Sequence, residues 1–203
     1  MSVFKIAVAG GPCAGKSSAL SAIESYAKER GMTVFLLREC ATDLMESGIT
    51  PSSCAAPLCF QMARALLQVE KERIYAIAAE GIVGDVLIVC DRGLADGKAY
   101  MSEEGWRECL ARLSLTEEQT YLRYDAVFYL TSAAVGAKEA YTLANNNARS
   151  ESAEEAAALD AKTFSAWKNH PWLYKIGCYP TFEEKRERIL SCLAAFLDSG
   201  KGC

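Results

Sequence analysis

The sequence has a single histidine, and none of its nine cysteines stands in a Cys-x-x-Cys pair. Zinc-ligand spacing is therefore absent. Basic charge is also scarce: 22 Lys and Arg against 26 Asp and Glu leave a net charge of −4. That balance argues against a nucleic-acid binder, which usually carries a basic field. No apolar run approaches the length of a membrane span. The N-terminus lacks a signal-peptide layout, because its apolar stretch is short and runs straight into a glycine-rich turn. A reducing cytoplasm is the expected setting, with Cys90 and Cys192 read as small core residues inside apolar patterns. No internal repeat or low-complexity tract interrupts the 203 residues, which suffice for one domain with a substantial core.

What is present begins with Gly10-Gly11-Pro12-Cys13-Ala14-Gly15-Lys16-Ser17. This is the phosphate-binding loop pattern: Gly, four residues, then Gly-Lys-Ser. A strand must turn sharply into a helix while backbone N–H groups converge on phosphate, and glycine permits the positive φ angles this needs. The following helix adds unpaired N–H groups and the positive end of its dipole. The apolar run 3–9 reads as the strand, and Ser18 to Gly31 as the helix. Gly10 to Ser18 are thus assigned to nucleotide, with Lys16 reaching the β- and γ-phosphates and Ser17 ligating Mg²⁺. Cys13 would face the phosphate near a helix N-terminus, where a thiol is reactive.

Strands are expected at 33–38, 86–90, 125–130 and 173–176. A short helix follows Thr42, a candidate cap. Leu58 to Glu80 shows helical periodicity through Met62, Leu66, Val69, Ile74 and Ile77. Further helices are expected at 103–113, 116–122, 154–169 and 182–197. His170 reads as a helix-end residue, and Trp167 and Trp172 as packing. The charged run 183–188 reads as the wet face of the last helix. Strands alternating with helices imply an α/β fold with a parallel sheet covered on both sides. Ligands of such sheets bind beyond the carboxyl ends of the strands. Gly10, Glu39, Asp91 and the segment after Leu130 all lie at those ends.

Asp91 closes an unbroken apolar strand, where a carboxylate can hold Mg²⁺ beside Ser17. A hydrolytic ATPase often places Glu next, to orient water; here it is Arg92. Arginine cannot serve as that base but can grip phosphate. Glu39 could accept a proton from an attacking hydroxyl; the bland alternative is a salt bridge with Arg38 or a nearby lysine. Arg149, with Lys138 as a weaker candidate, could close over the γ-phosphate from a helical lid at about 132–153. Gln61, Arg64 and Gln68 share a helix face that could line an acceptor pocket or, at least as readily, be a solvated face. Two more absences matter. Neither the Asp-x-x-Gly nor the Asn/Thr-Lys-x-Asp motif of switch GTPases occurs.

GGPCAGKS, the Arg38-Glu39 strand end, Asp91-Arg92-Gly93, RYDAVFYL at 123–130, the NNNAR segment, the Leu159-Asp160 to Trp167 helix and HPWLYKIG together resemble the small AAA-domain ATPase/kinase family. That family is described as linked to NAD metabolism. It is similar to nicotinamide riboside kinases and, more distantly, to thymidylate and deoxynucleoside kinases. The resemblance covers nearly the whole chain. It implies a three-layer P-loop kinase fold with a five-stranded parallel sheet of order 2-3-1-4-5, in one domain over 1–203. It further implies that Glu39 is the base toward the acceptor hydroxyl, and that Asp91-Arg92 and Arg149 match the kinases' strand-three pair and lid arginine. The expected activity is transfer of the γ-phosphoryl of ATP, with Mg²⁺, to a hydroxyl of a nucleoside-like metabolite. The alternative is a regulatory module that binds ATP or GTP. The expected partners are nucleotide and a small acceptor, without nucleic acid or a membrane span; a homo-oligomer is left open.

Overall fold

Five apolar runs become the strands β1 (Val3–Ala9), β2 (Thr33–Leu37), β3 (Val86–Asp91), β4 (Ala126–Leu130) and β5 (Leu173–Ile176). The structure, a computed structural model, describes residues 2–136 and 152–199. The strands pair in parallel in the order β2-β3-β1-β4-β5, as the resemblance implies. The three central strands are almost wholly buried, which is why they read as unbroken apolar runs rather than alternating ones.

Successive strand residues point to opposite faces, so each strand feeds two cores. On one face Ile6, Val8, Val89, Phe128 and Leu130 meet α1 (Lys16–Glu29) and α8 (Phe182–Asp198) through Ile23, Ile189, Leu193 and Phe196. On the other face Ala7, Ala9, Ile88, Cys90, Val127 and Tyr129 meet α2 (Cys40–Glu46), α3 (Pro57–Glu80) and α7 (Ala153–Trp167). Trp167 lies wholly inside this second core, and Cys90 and Cys192 are core residues as expected. A 3₁₀ helix (Leu94–Tyr100), α4 (Glu103–Leu113) and α5 (Glu117–Tyr121) follow β3, and a satellite core forms where α3 meets the 3₁₀ helix and α4. The short α6 (Ala133–Gly136) follows β4 and falls within the expected lid. Among the described residues no helix is long and apolar enough to cross a membrane.

Three details differ from expectation. The helix after the loop starts at Lys16, not Ser18. Thr42 does not cap α2; Glu39 occupies the cap position, and the Thr42 hydroxyl donates to its Oε2 at 3.1 Å. Only part of the apolar series that marks α3 in the sequence lies on its buried face: Met62 is buried and Val69 packs against the satellite core. Leu66, Ile74 and Ile77 are half or more exposed, while Arg64, Gln68 and Glu72 are buried. The reason is a polar network in which the Glu72 carboxylate accepts from Tyr124, from Arg123 Nε at 2.8 Å, from Gln68 Nε2 at 2.9 Å and from Lys5 Nζ at 3.4 Å. With every partner supplied, this charge can be buried where an isolated one could not.

Candidate functional site

The loop between β1 and α1 is shaped by contacts that leave no room for side chains. Gly10 has φ +141°, and a Cβ there would stand 2.2 Å from the Leu130 carbonyl oxygen. Gly15 also has positive φ, as does Cys13. Lys16 Nζ donates to the carbonyls of Gly10 at 3.1 Å and Gly11 at 2.8 Å, so the lysine is folded across the loop. Burial, and then the nearby Arg92, push its pKa below the ordinary lysine range. Ser17 and Ser18 are exposed at the start of α1.

Three residues carry the loop from outside, none of them assigned a role by the sequence reading. Asp160 of α7 accepts from the Gly11 and Ser132 N–H groups, each at 3.0 Å, on the same oxygen, Oδ1. A Cβ on Gly11 would meet that carboxylate at 2.7 Å. The Ser132 hydroxyl donates to the Pro12 carbonyl. Lys185 of α8 donates to the carbonyls of Ala14 and Thr131, both at 3.0 Å. Lys185 therefore departs from the expected wet face: it is buried, and burial lowers its pKa. Its position inside a charged run hid it, whereas Asp160 carried one faint signal, an acid in an otherwise apolar helical stretch.

At the carboxyl ends of β2 and β3, Glu39, Asp91 and Arg92 come together. Arg92 has φ +66° and is buried. Its Nε donates to Glu39 Oε1, and its Nη1 donates to the Gly10 carbonyl at 3.3 Å and lies 3.6 Å from Asp96 Oδ1. Arg92, not Arg38 or a lysine, is thus the partner of Glu39. Burial opposes both charges. It is outweighed at Glu39 by Arg92, Lys16 and Thr42, which hold the carboxyl below its usual range, and at Arg92 by Tyr100, Glu39 and Asp96, which raise its pKa. Asp91 moves the other way: burial, and then Glu39, raise its pKa. Its Oδ1 is buried without a hydrogen-bond partner. A cavity of about 520 Å³ opens here, with Ser17, Glu39, Thr42, Asp43 and Asp91 among its walls. A carboxylate with an orphaned oxygen and a serine at a helix start, both on the wall of one cavity, are the residue types that suit a hard, oxygen-seeking cation such as Mg²⁺.

Gly93 and Asp96 fix the chain after Arg92. Asp96 Oδ2 accepts from the Gly93 N–H at 2.9 Å and from Trp167 Nε1 at 3.0 Å. On the other side of the loop a cleft of about 210 Å³ is lined by Cys13, Gly15, Tyr179, Pro180, Phe182 and Lys185. The α3 trio lies deeper than a solvated face. Gln68 accepts from Cys40 Sγ at 3.2 Å, Arg64 donates to the Leu94 carbonyl at 3.3 Å, and Gln61 is half-buried with its Oε1 unpartnered. Arg149 and Lys138 lie outside the described residues.

A glycine-bounded loop at a helix start, on the carboxyl edge of a parallel 2-3-1-4-5 sheet, defines a nucleotide-binding P-loop protein. A family model, the AAA domain, matches residues 5–185, and the chain belongs to that family. A search of curated proteins finds no match.

Proposed function

We propose that the protein is an ATP- and Mg²⁺-dependent kinase that transfers the γ-phosphoryl group to a hydroxyl of a small, nucleoside-like acceptor. The observation that carries this reading is the Glu39 carboxylate. It is ionised by its neighbours and lies on the wall of the cavity that also reaches Ser17 and Asp91. The loop amides and Lys16 hold the phosphates, and the cleft beside Tyr179 and Phe182 takes the base. Ser17 and Asp91 hold Mg²⁺, which when bound neutralises phosphate charge. The acceptor oxygen bonds to the γ-phosphorus, the bond to the bridging oxygen of ADP breaks, and Glu39 receives the hydroxyl proton. Arg92 holds Glu39 in place and offsets charge near Gly10; Arg149 is the proposed lid arginine.

The test is ADP release from ATP·Mg²⁺ across nucleosides, nicotinamide riboside, nucleoside monophosphates and water. Acceptor-dependent release is expected. Tight nucleotide binding with no turnover on any acceptor would favour the regulatory reading. Glu39→Gln should lower turnover by about 10²–10⁴-fold, the usual worth of a general base, with ATP affinity nearly unchanged. Unchanged turnover removes Glu39 from the role.

A further inference from the structure

The outward stripe of α3 carries a pattern that its own fold does not use. Leu66, Glu70, Arg73 and Ile77 follow one another at steps of four, three and four, the spacing of a two-helix seam. All four are exposed: Leu66 by 50% and Ile77 by 55%, and the Glu70 and Arg73 side chains by 58% and 70%. Ile74, also exposed, flanks the stripe. Single exposed apolar residues are ordinary, and what sets this stripe apart is the order of its apolar and charged residues.

We infer that this stripe is where two copies of the chain associate, α3 against α3, antiparallel about a two-fold axis. The identity of the partner follows from the order of the residues. The stripe reads apolar, acid, base, apolar in one direction and apolar, base, acid, apolar in the other. Its midpoint falls between Lys71 and Glu72, and Leu66 and Ile77 lie equally far from it, as do Glu70 and Arg73. A two-fold axis through that midpoint sets Leu66 against Ile77 of the second copy and Glu70 against its Arg73, and repeats both contacts in reverse. Such self-complementarity serves a second copy and would be idle toward an unrelated partner. The pair within one chain is loose, with Arg73 Nε 3.8 Å from Glu70 Oε2, so both side chains can turn to the neighbour with little to give up.

The seam spans 12 of the 24 residues of α3 and is a small interface. Association in the micromolar range, on the order of 1–100 µM, is expected of so few buried layers. The buried side of the same helix holds Gln68 against Cys40, the residue after Glu39, so pairing would brace the wall of the cavity.

The experiment is analytical ultracentrifugation of the full chain over that concentration range. Wild type should approach twice the chain mass. Glu70→Arg places four cations in the two central layers and Arg73→Glu places four anions there. Each should weaken association by roughly tenfold or more, the effect of about 1.4 kcal/mol. Mixed in equal amounts, the two variants regain Arg-to-Glu pairing in both layers, and association should return as a heterodimer. Circular dichroism and melting confirm that each variant is folded, which the exposure of both positions favours. A wild type that stays monomeric throughout, single variants that associate like wild type, or a mixture that associates no better than its components would each overturn the proposal.

Discussion

Asp160 offers the sharpest test of how the phosphate loop is held. Its Oδ1 accepts two backbone N–H groups, from Gly11 and Ser132, both inside the protein. Replacing it with alanine removes the acceptor and leaves two donors buried without partners. Each such donor costs about 1–3 kcal/mol, so Asp160→Ala should destabilise the fold by about 2–6 kcal/mol. For a chain of this length that is a fall in Tm of roughly 5–20 °C. Asp160→Asn separates the hydrogen bonds from the charge. One amide oxygen can still accept both N–H groups, and only the charge assistance is lost, at a cost of about 1–3 kcal/mol. The assays are chemical denaturation for stability and titration with ATP for loop integrity. The alanine variant should also bind ATP more weakly, because Gly11 and Pro12 lose their tether. A loss below about 1 kcal/mol for alanine would refute the reasoning, since one unsatisfied donor alone should exceed it. Equal losses for alanine and asparagine would refute the separation of geometry from charge.

Two further outcomes follow from the same loop. Burial and Arg92 lower the Lys16 pKa to about 7, and bound phosphate should raise it again. Nucleotide binding at pH 8 should therefore take up a proton, and affinity should be greatest below the pKa of the ligand-free protein and fall as pH rises through and above it. Calorimetry with ADP, without Mg²⁺, in buffers of different ionisation enthalpy measures the uptake directly; none at pH 8 would contradict the shift. Cys13 lines the cleft beside Gly15 and Lys185, so its alkylation should block nucleotide binding and ATP should protect it. Equal labelling rates with and without ATP would count against that placement.

Much of the fold was legible because its signals are local. The strand runs, the loop and the helix at 103–113 each follow from residues within a few positions of one another. Glu39, Asp91 and Arg92 were legible as a group because they sit at strand ends, and parallel pairing brings strand ends together. The hidden parts depend on partners far along the chain. The inner face of α3 is polar because Lys5, Arg123 and Tyr124 arrive to meet Glu72. Lys185 is buried because the carbonyls of Ala14 and Thr131 receive it. Periodicity registers apolar residues and solvated charges; it has no signature for a charge whose partners lie some fifty or more residues away.

The shared oxygen of Asp160 also says where the chain can vary in length. Ser132 and Asp160 are 28 positions apart, yet both are pinned to one point beside Gly11. Once those two anchors are fixed, the stretch joining them has both ends held, and the entropy of closing a chain segment grows only logarithmically with its length. Doubling such a stretch costs roughly 0.6 kcal/mol, less than one of the hydrogen bonds at its base. Insertions and deletions between the anchors should therefore leave the nucleotide cradle standing, while a single substitution at Asp160 should not. Relatives of this chain are expected to differ most in length there, without rebuilding the site that binds phosphate.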